Sequence, residues 1–242
     1  MPNNNRRLAE YGYTGDLYSL SEESGSYLKT VIEKLHLKHG DRVLDLGCGA
    51  GNELQQMKNL YGARIFGADI SDSATPGLLR KTKNVAISDA ASLPFRDGEF
   101  DFIHSKDMFV HMIDYNSFFK EGARVLKDGG KMLLVSEMAK SEMDETSPVF
   151  YYFTKNEKLR QPVADWQEYV KEAENKLKLG YKVSLPVCII SEEKCLSAAE
   201  KNGLYKIEEG LQRSWFPKPD EINWNRISRS IILFQKHSDK SN

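Results

Sequence analysis

Ten residues, Val43 to Asn52, constrain this chain more than any other stretch. They read Val-Leu-Asp-Leu-Gly-Cys-Gly-Ala-Gly-Asn: an apolar strand, an acidic residue and three alternate glycines. Glycines at 47, 49 and 51 admit dihedrals closed to residues with a Cβ and let a large ligand lie against the backbone between a strand and a helix. The segment therefore reads as a nucleoside-binding turn. A dinucleotide site needs G-x-G-x-x-G with a helix N-terminus aimed at pyrophosphate, and the last glycine here comes one residue too early. Asp45, inside the motif, would repel a diphosphate but attract an amino group or another cation. A positively charged nucleoside fits better.

Hydrophobic period and breakers set out the rest of the chain. Ser24 to Leu37 places Leu28, Val31, Ile32 and Leu35 on one helix face, and Gly40-Asp41 ends it. Helices are then predicted from Asn52 to Leu60 and from Tyr115 to Leu126. Strands are predicted at Arg64 to Ala68, Val85 to Ser88, Phe100 to His104 and Lys131 to Val135. This alternation implies a mostly parallel sheet covered on both faces. Asp69, ending the second strand, can accept the hydrogens of both ribose hydroxyls. Across 138–190 the rhythm breaks; Phe150-Tyr151-Tyr152-Phe153 and a helix from Val163 to Leu179 suggest a mainly helical insert. The rhythm resumes with a helix from Glu192 to Asn202, opened by Ser191 and stopped by Gly203, and with strands Tyr205 to Glu209 and Ile227 to Phe234.

With these stations in order, the chain resembles the class I S-adenosylmethionine-dependent methyltransferases, whose first motif is acidic-x-G-x-G-x-G. The resemblance covers residues 28–137 and returns at 191–236. It implies an α/β fold: a Rossmann-like, seven-stranded, mostly parallel sheet with helices on both faces, an antiparallel last strand and a lid-like insert after strand five. It also implies one methyltransferase domain over 1–242, in which 1–23 is an N-terminal lid arm and 138–190 a substrate lid. S-adenosylmethionine would be the cofactor and S-adenosylhomocysteine the product. The implied cofactor contacts are Asp45, Gly47, Cys48, Gly49 and Gly51 at the first loop, Asp69 and Ile70 at the second strand, Asp89 and Ala90 beside the adenine, and Ser105 and Lys106 after the fourth strand.

In open parallel sheets ligands bind beyond the carboxyl ends of the strands, so the segment Ile103 to Met112 lies on the rim that matters. Its Ser105-Lys106-Asp107-x-x-x-His111 form is similar to that of phosphoethanolamine methyltransferases and other small-molecule N-methyltransferases, where the histidine is a base. The resemblance makes His111 the base, with Asp107 orienting it or capping the helix that carries it. Tyr11-Gly12-Tyr13-Thr14-Gly15-Asp16-Leu17-Tyr18 resembles the N-terminal lid of the same enzymes, which puts Tyr11 and Tyr18 over the cofactor and Tyr18 beside the base. The insert differs from theirs, so only the general class carries over. Methyl transfer from a sulfonium is an in-line displacement, which requires an aligned nucleophile whose proton has been removed.

Composition narrows the partners. A chain of 242 residues, 40% hydrophobic, buries one sizeable core. A net charge of −1 with dispersed lysines offers no basic face for phosphates, which argues against a nucleic acid partner. No apolar run spans a bilayer and the first residues lack a signal-peptide core, so no membrane partner and a cytoplasmic location are expected. Cys48, Cys188 and Cys195 read as free thiols. His36 and His39 have a metal-like spacing at a helix end but no third ligand, so no metal is expected. Asp144-Glu145 reads as a solvated turn or an amine attractor, and Arg213 as a surface residue or a partner for a carboxylate. The aromatic loop with Trp215, Phe216 and Trp224, like the insert, serves as a water-excluding cover or fills a small core. The expected function is transfer of a methyl group to nitrogen or oxygen of a small-molecule acceptor, by a monomer or homodimer. The alternatives are a protein or RNA methyltransferase, or a cofactor-binding protein with cyclopropanation or cyclisation chemistry.

Overall fold

The computed structural model describes residues 37–49, 51–61, 64–70, 83–153, 158–183, 186–207 and 227–237. The expected arm 1–23, nearly all of the helix at 24–37, and the loop bearing Arg213, Trp215, Phe216 and Trp224 lie outside these residues. The described chain runs β1 (Arg42–Leu46), α1 (Asn52–Tyr61), β2 (Arg64–Asp69), β3 (Val85–Ile87), β4 (Phe100–Lys106), α2 (Tyr115–Val125) and β5 (Leu126–Ala139). It continues through β6 (Thr146–Phe153), β7 (Lys158–Pro162), α3 (Trp166–Lys178), β8 (Lys182–Val183), β9 (Val187–Ile189), α4 (Glu192–Glu200), β10 (Leu204–Lys206) and β11 (Ile227–Lys236).

Seven strands form one sheet in the order β10-β11-β5-β4-β1-β2-β3. β3, β2, β1, β4 and β5 are mutually parallel, and β11 enters antiparallel between β5 and β10. This is the Rossmann-like arrangement expected, with its antiparallel last strand. The strand order reverses between β1 and β4, so their carboxyl ends open the crevice where such sheets bind ligands. Alternation along each strand divides the core. Val43, Phe102, Leu133 and Val135 pack with Leu54 and Met57 of α1, while Leu44, Leu46, Ile103 and Leu134 pack with Phe118 and Phe119 of α2. Asp114 caps α2 by accepting the Ser117 N–H, and Ser191 caps α4 by accepting the Lys194 N–H.

Two boundaries differ from the sequence reading, with consequences for the site. β4 continues past His104 to Lys106, so Ser105 and Lys106 are strand residues with fixed side-chain directions rather than loop residues. The insert is not mainly helical: α3 is its one α-helix among the described residues, and β6 pairs antiparallel with β7, β8 and β9 in a second sheet. The β-branched and aromatic run Val149 to Phe153 favours an extended, half-buried surface, and tertiary pairing completes it. Phe150 and Tyr169 stack edge to face at 5.4 Å and close a small core with Val163, Ala173 and Val183. Glu145, in the expected solvated turn, accepts the Ser191 N–H at 2.8 Å and pairs with Lys194 at 2.9 Å, tying the insert to α4.

α1 approaches β2 closely because residue 67 has no side chain. A Cβ on Gly67 would lie 2.7 Å from both Cys48 Sγ and Leu54 Cδ1. Gly67→Ala is expected to lower stability by about 1–3 kcal/mol through overpacking, read as a lower urea midpoint at unchanged slope.

Candidate active site

The turn after β1 is built by two hydrogen bonds to one carbonyl. Gly47 and Cys48 both donate their N–H to Ala68 O, at 2.8 and 3.2 Å, which brings the chain leaving β1 over the end of β2. Gly47 has φ +83°, and a Cβ there would fall 2.6 Å from Met108, so both backbone and neighbour demand glycine. Gly49, at φ +47°, donates its N–H to Asp69 Oδ2 at 2.7 Å. The expected ribose acid is thereby held against the glycine loop. The Cys48 amide is spent on Ala68, and burial pushes the Cys48 thiol up, so Cys48 is a packed neutral residue. Gly51 donates to Cys48 O at 2.8 Å and opens α1.

Asp89 follows β3 and folds its carboxylate back to accept the Ala91 N–H at 2.9 Å, which fixes the turn containing buried Ala90. Ile70 is half-buried just past β2. Ser105 is fully buried, and its Oγ has no hydrogen-bond partner among the described residues. Lys106 reaches α1, where its Nζ donates to Glu53 Oε1 at 2.7 Å, and it lies 3.4 Å from Asp107 Oδ2.

Sequence reasoning missed His104. In the parallel register Asp45 of β1 stands opposite His104 of β4, both on the α1 side of the sheet. The His104 Nδ1–H donates to Asp45 Oδ1 at 2.9 Å, with Asp45 3% and His104 0% exposed. Burial raises Asp45 above the ordinary carboxylate value, partly countered by the His104 hydrogen bond. Burial opposes the charged form of His104, but bonding to Asp45 outweighs it and holds His104 above its ordinary value. The available signal was a histidine inside an otherwise apolar buried strand, a residue type that rarely sits there without a partner. Asp45, Glu53 and His104 bring donor atoms within 4.8 Å of one another, but Asp45 and His104 are bonded together and the Lys106 ammonium already sits on Glu53.

His111 ends a short 3₁₀ turn, Phe109–His111, beyond β4. Its Nδ1 lies 2.9 Å from Pro186 O. A carbonyl can only accept, so Nδ1 carries the hydrogen and the lone pair of the neutral ring sits on Nε2. Burial drives His111 below its ordinary value, against the opposing pull of the Pro186 carbonyl and of Glu137, Asp107 and Asp69. The group orienting the ring is thus Pro186 of the insert, which was not foreseen, rather than Asp107. Nor does Asp107 cap the turn: Met108 holds the cap position without a side-chain bond. Asp107 itself adopts φ +59°, a left-handed conformation that is strained for a residue with a Cβ and that redirects the chain out of β4. Tyr11 and Tyr18 lie outside the described residues; His39 is exposed. No helix among the described residues is long and apolar enough to cross a membrane.

The arrangement fits S-adenosylmethionine on its own chemistry. An alternate-glycine turn, an acid held at the end of β2, a partnerless buried hydroxyl and a buried carboxylate beneath the loop together suit a cationic nucleoside. Residues 44–134 match the family described as a methyltransferase domain. Phosphoethanolamine N-methyltransferase 1 of Zea mays is 35% identical over 133 residues, 52% of this chain and 26% of that protein. The chloroplastic tocopherol O-methyltransferase of Arabidopsis thaliana is 29% identical over 143 residues, 56% of this chain and 41% of that protein. This chain therefore spans well under two thirds of the length of these relatives. Phosphoethanolamine N-methyltransferase 2 of Haemonchus contortus, solved with S-adenosyl-L-methionine, superposes with a TM-score of 0.57 at 18% identity, covering 88% of this chain and 52% of that one, a likeness of fold.

The state of His111 has a measurable signature. Its ring should titrate below the ordinary 6.5 in an NMR pH series. Because the folded protein binds that proton less readily than the unfolded chain, the stability from neutral His111 is complete above about pH 6.5 and is lost as pH falls through the lowered folded value. Urea midpoints should therefore fall less between neutral and acid pH in His111→Gln than in the wild type.

Proposed function

We propose that this chain carries a class I S-adenosylmethionine-dependent methyltransferase domain and transfers a methyl group to nitrogen or oxygen of a small-molecule acceptor, with His111 as general base. One observation carries the reading. At the rim beyond β4, His111 donates its Nδ1–H to Pro186 O, which leaves the lone pair of a neutral imidazole on Nε2. A ring kept neutral by burial and fixed in one tautomer is ready to take a proton from an amine or hydroxyl. When bound, the cofactor supplies an electrophilic methyl group on sulfur.

The chain's own residues divide the remaining work. Gly47, Gly49 and Gly51 admit close approach of the ligand to the backbone. Asp69 receives the ribose hydroxyls; Ile70, Asp89 and Ala90 flank the adenine; Ser105 and Lys106 supply polar contacts beneath the amino-acid moiety. Asp45 contributes negative charge toward the ammonium. Asp107 acts on His111 through its charge and through the bend it imposes after β4. The insert 138–190 and the arm with Tyr11 and Tyr18 cover the acceptor and exclude water, with Tyr18 beside the base. For the insert, support comes from the contact of Pro186 with His111. The dispersed lysines favour a small metabolite over a nucleic acid, and the proposed setting is the cytoplasm, as a monomer or homodimer.

The direct test incubates the protein with S-adenosylmethionine and a panel of small amines and phenols. A product heavier by one methyl group, with stoichiometric S-adenosylhomocysteine, is the expected result; no homocysteine product with any acceptor would refute it. Asp69→Ala should weaken S-adenosylhomocysteine binding by about 1–3 kcal/mol, as measured by calorimetry, because hydrogen bonds to a charged acceptor are lost. His111→Ala should lower turnover roughly a hundredfold while sparing cofactor affinity, and unchanged turnover at neutral pH would exclude the base role.

A further inference from the structure

Among the buried groups near the glycine loop, one has no part in the scheme above: His104, wholly enclosed in the centre of the sheet. A charged or polar ring in such a place costs free energy unless its partner needs it. Its partner is Asp45, the acid of the glycine motif, joined by the 2.9 Å bond from Nδ1. The contact follows directly from the β1–β4 register, which sets the two residues opposite each other on one face. Without a hydrogen-bond donor or a cation beside it, a carboxylate only 3% exposed would take up a proton to escape its charge. The other charges bearing on the pair are Glu53 from α1 and Lys106 from β4, bound to each other at 2.7 Å and so largely offsetting. Asp69 of β2 bears on neighbouring Cys48 and is held by the Gly49 amide. His104 is thus the hydrogen-bond donor placed to keep Asp45 ionised.

We propose that His104 is a positioning residue of the cofactor site: its Nδ1–H holds the Asp45 carboxylate ionised and oriented beneath the glycine loop, so that Asp45 presents full negative charge to the ammonium of the nucleoside. The inference rests on the cofactor reading above, in which Asp45 faces that ammonium. It adds a residue acting through Asp45, without contact to the ligand.

The experiment is calorimetric titration of S-adenosylhomocysteine into wild type, His104→Leu and His104→Asn between about pH 5.5 and pH 7.5. Leucine removes the donor; asparagine returns an N–H near the position of Nδ1. In His104→Leu the affinity should drop about tenfold or more at the acid end and recover as pH rises and Asp45 ionises, whereas His104→Asn should stay within about threefold of wild type throughout. Unchanged affinity in His104→Leu at every pH overturns the proposal. So does a loss that is equal at every pH and not rescued by asparagine, which would mark His104 as packing only. Failure of the wild type itself to bind would instead overturn the cofactor reading, and the two results are distinct. Should the leucine variant not fold, NMR of the wild type decides. S-adenosylhomocysteine, whose ammonium draws on the same carboxylate, should lower the pH midpoint of the His104 ring signals, and an unmoved midpoint overturns the proposal.

Discussion

The capture of one carbonyl by two amides organises this molecule. Ala68 O receives the N–H groups of Gly47 and Cys48, which closes the turn after β1 onto the end of β2. That closure aligns the Gly49 amide with Asp69 and delivers the chain into α1 with Leu54 against Gly67. Each step depends on an absent side chain. A Cβ at 47 would meet Met108, which leads into the turn bearing His111, and a Cβ at 67 would meet Cys48 and Leu54. The glycine loop, Asp69 and the turn bearing His111 are therefore parts of one packed unit rather than separate motifs.

Electrostatics at the carboxyl ends of the strands follows from the same unit. Lys106 and Glu53 pair across β4 and α1, and His104 and Asp45 are bonded across β4 and β1. His111 stands apart, driven neutral by burial and fixed by a backbone carbonyl. Two histidines seven residues apart thus hold opposite protonation tendencies, because one faces a buried carboxylate and the other a neutral carbonyl.

Much of this was legible in the sequence. Short apolar strands alternating with helices, a glycine run with an acid before it, and the Ser191 helix start act locally, so their placement survives without knowledge of the fold. The strand ends were harder to read. β4 runs on through Ser105 and Lys106 because β5 pairs with it that far, and pairing partners are not visible along the chain. The insert was misread for the same reason: its aromatic run looked like part of a helical cover, whereas β7, β8 and β9 supply the edges that make it a strand.

With Asp89 and the candidate base His111 singled out by family resemblance alone, the sequence by itself determined the alternating sheet and the glycine turn with Asp45 inside it and Asp69 at the end of the second strand. These rest on periodicity, on backbone freedom at glycine and on the chemistry of single side chains, all properties of neighbouring residues. Only the tertiary structure decided that Asp45 is bonded to His104, that Lys106 is held by Glu53, and that His111 takes its tautomer from Pro186, 75 residues further along. Such contacts arise from strand register and from where an insert returns to the sheet. A hydrogen bond is a matter of distance in space, and the order of residues along the chain does not contain it.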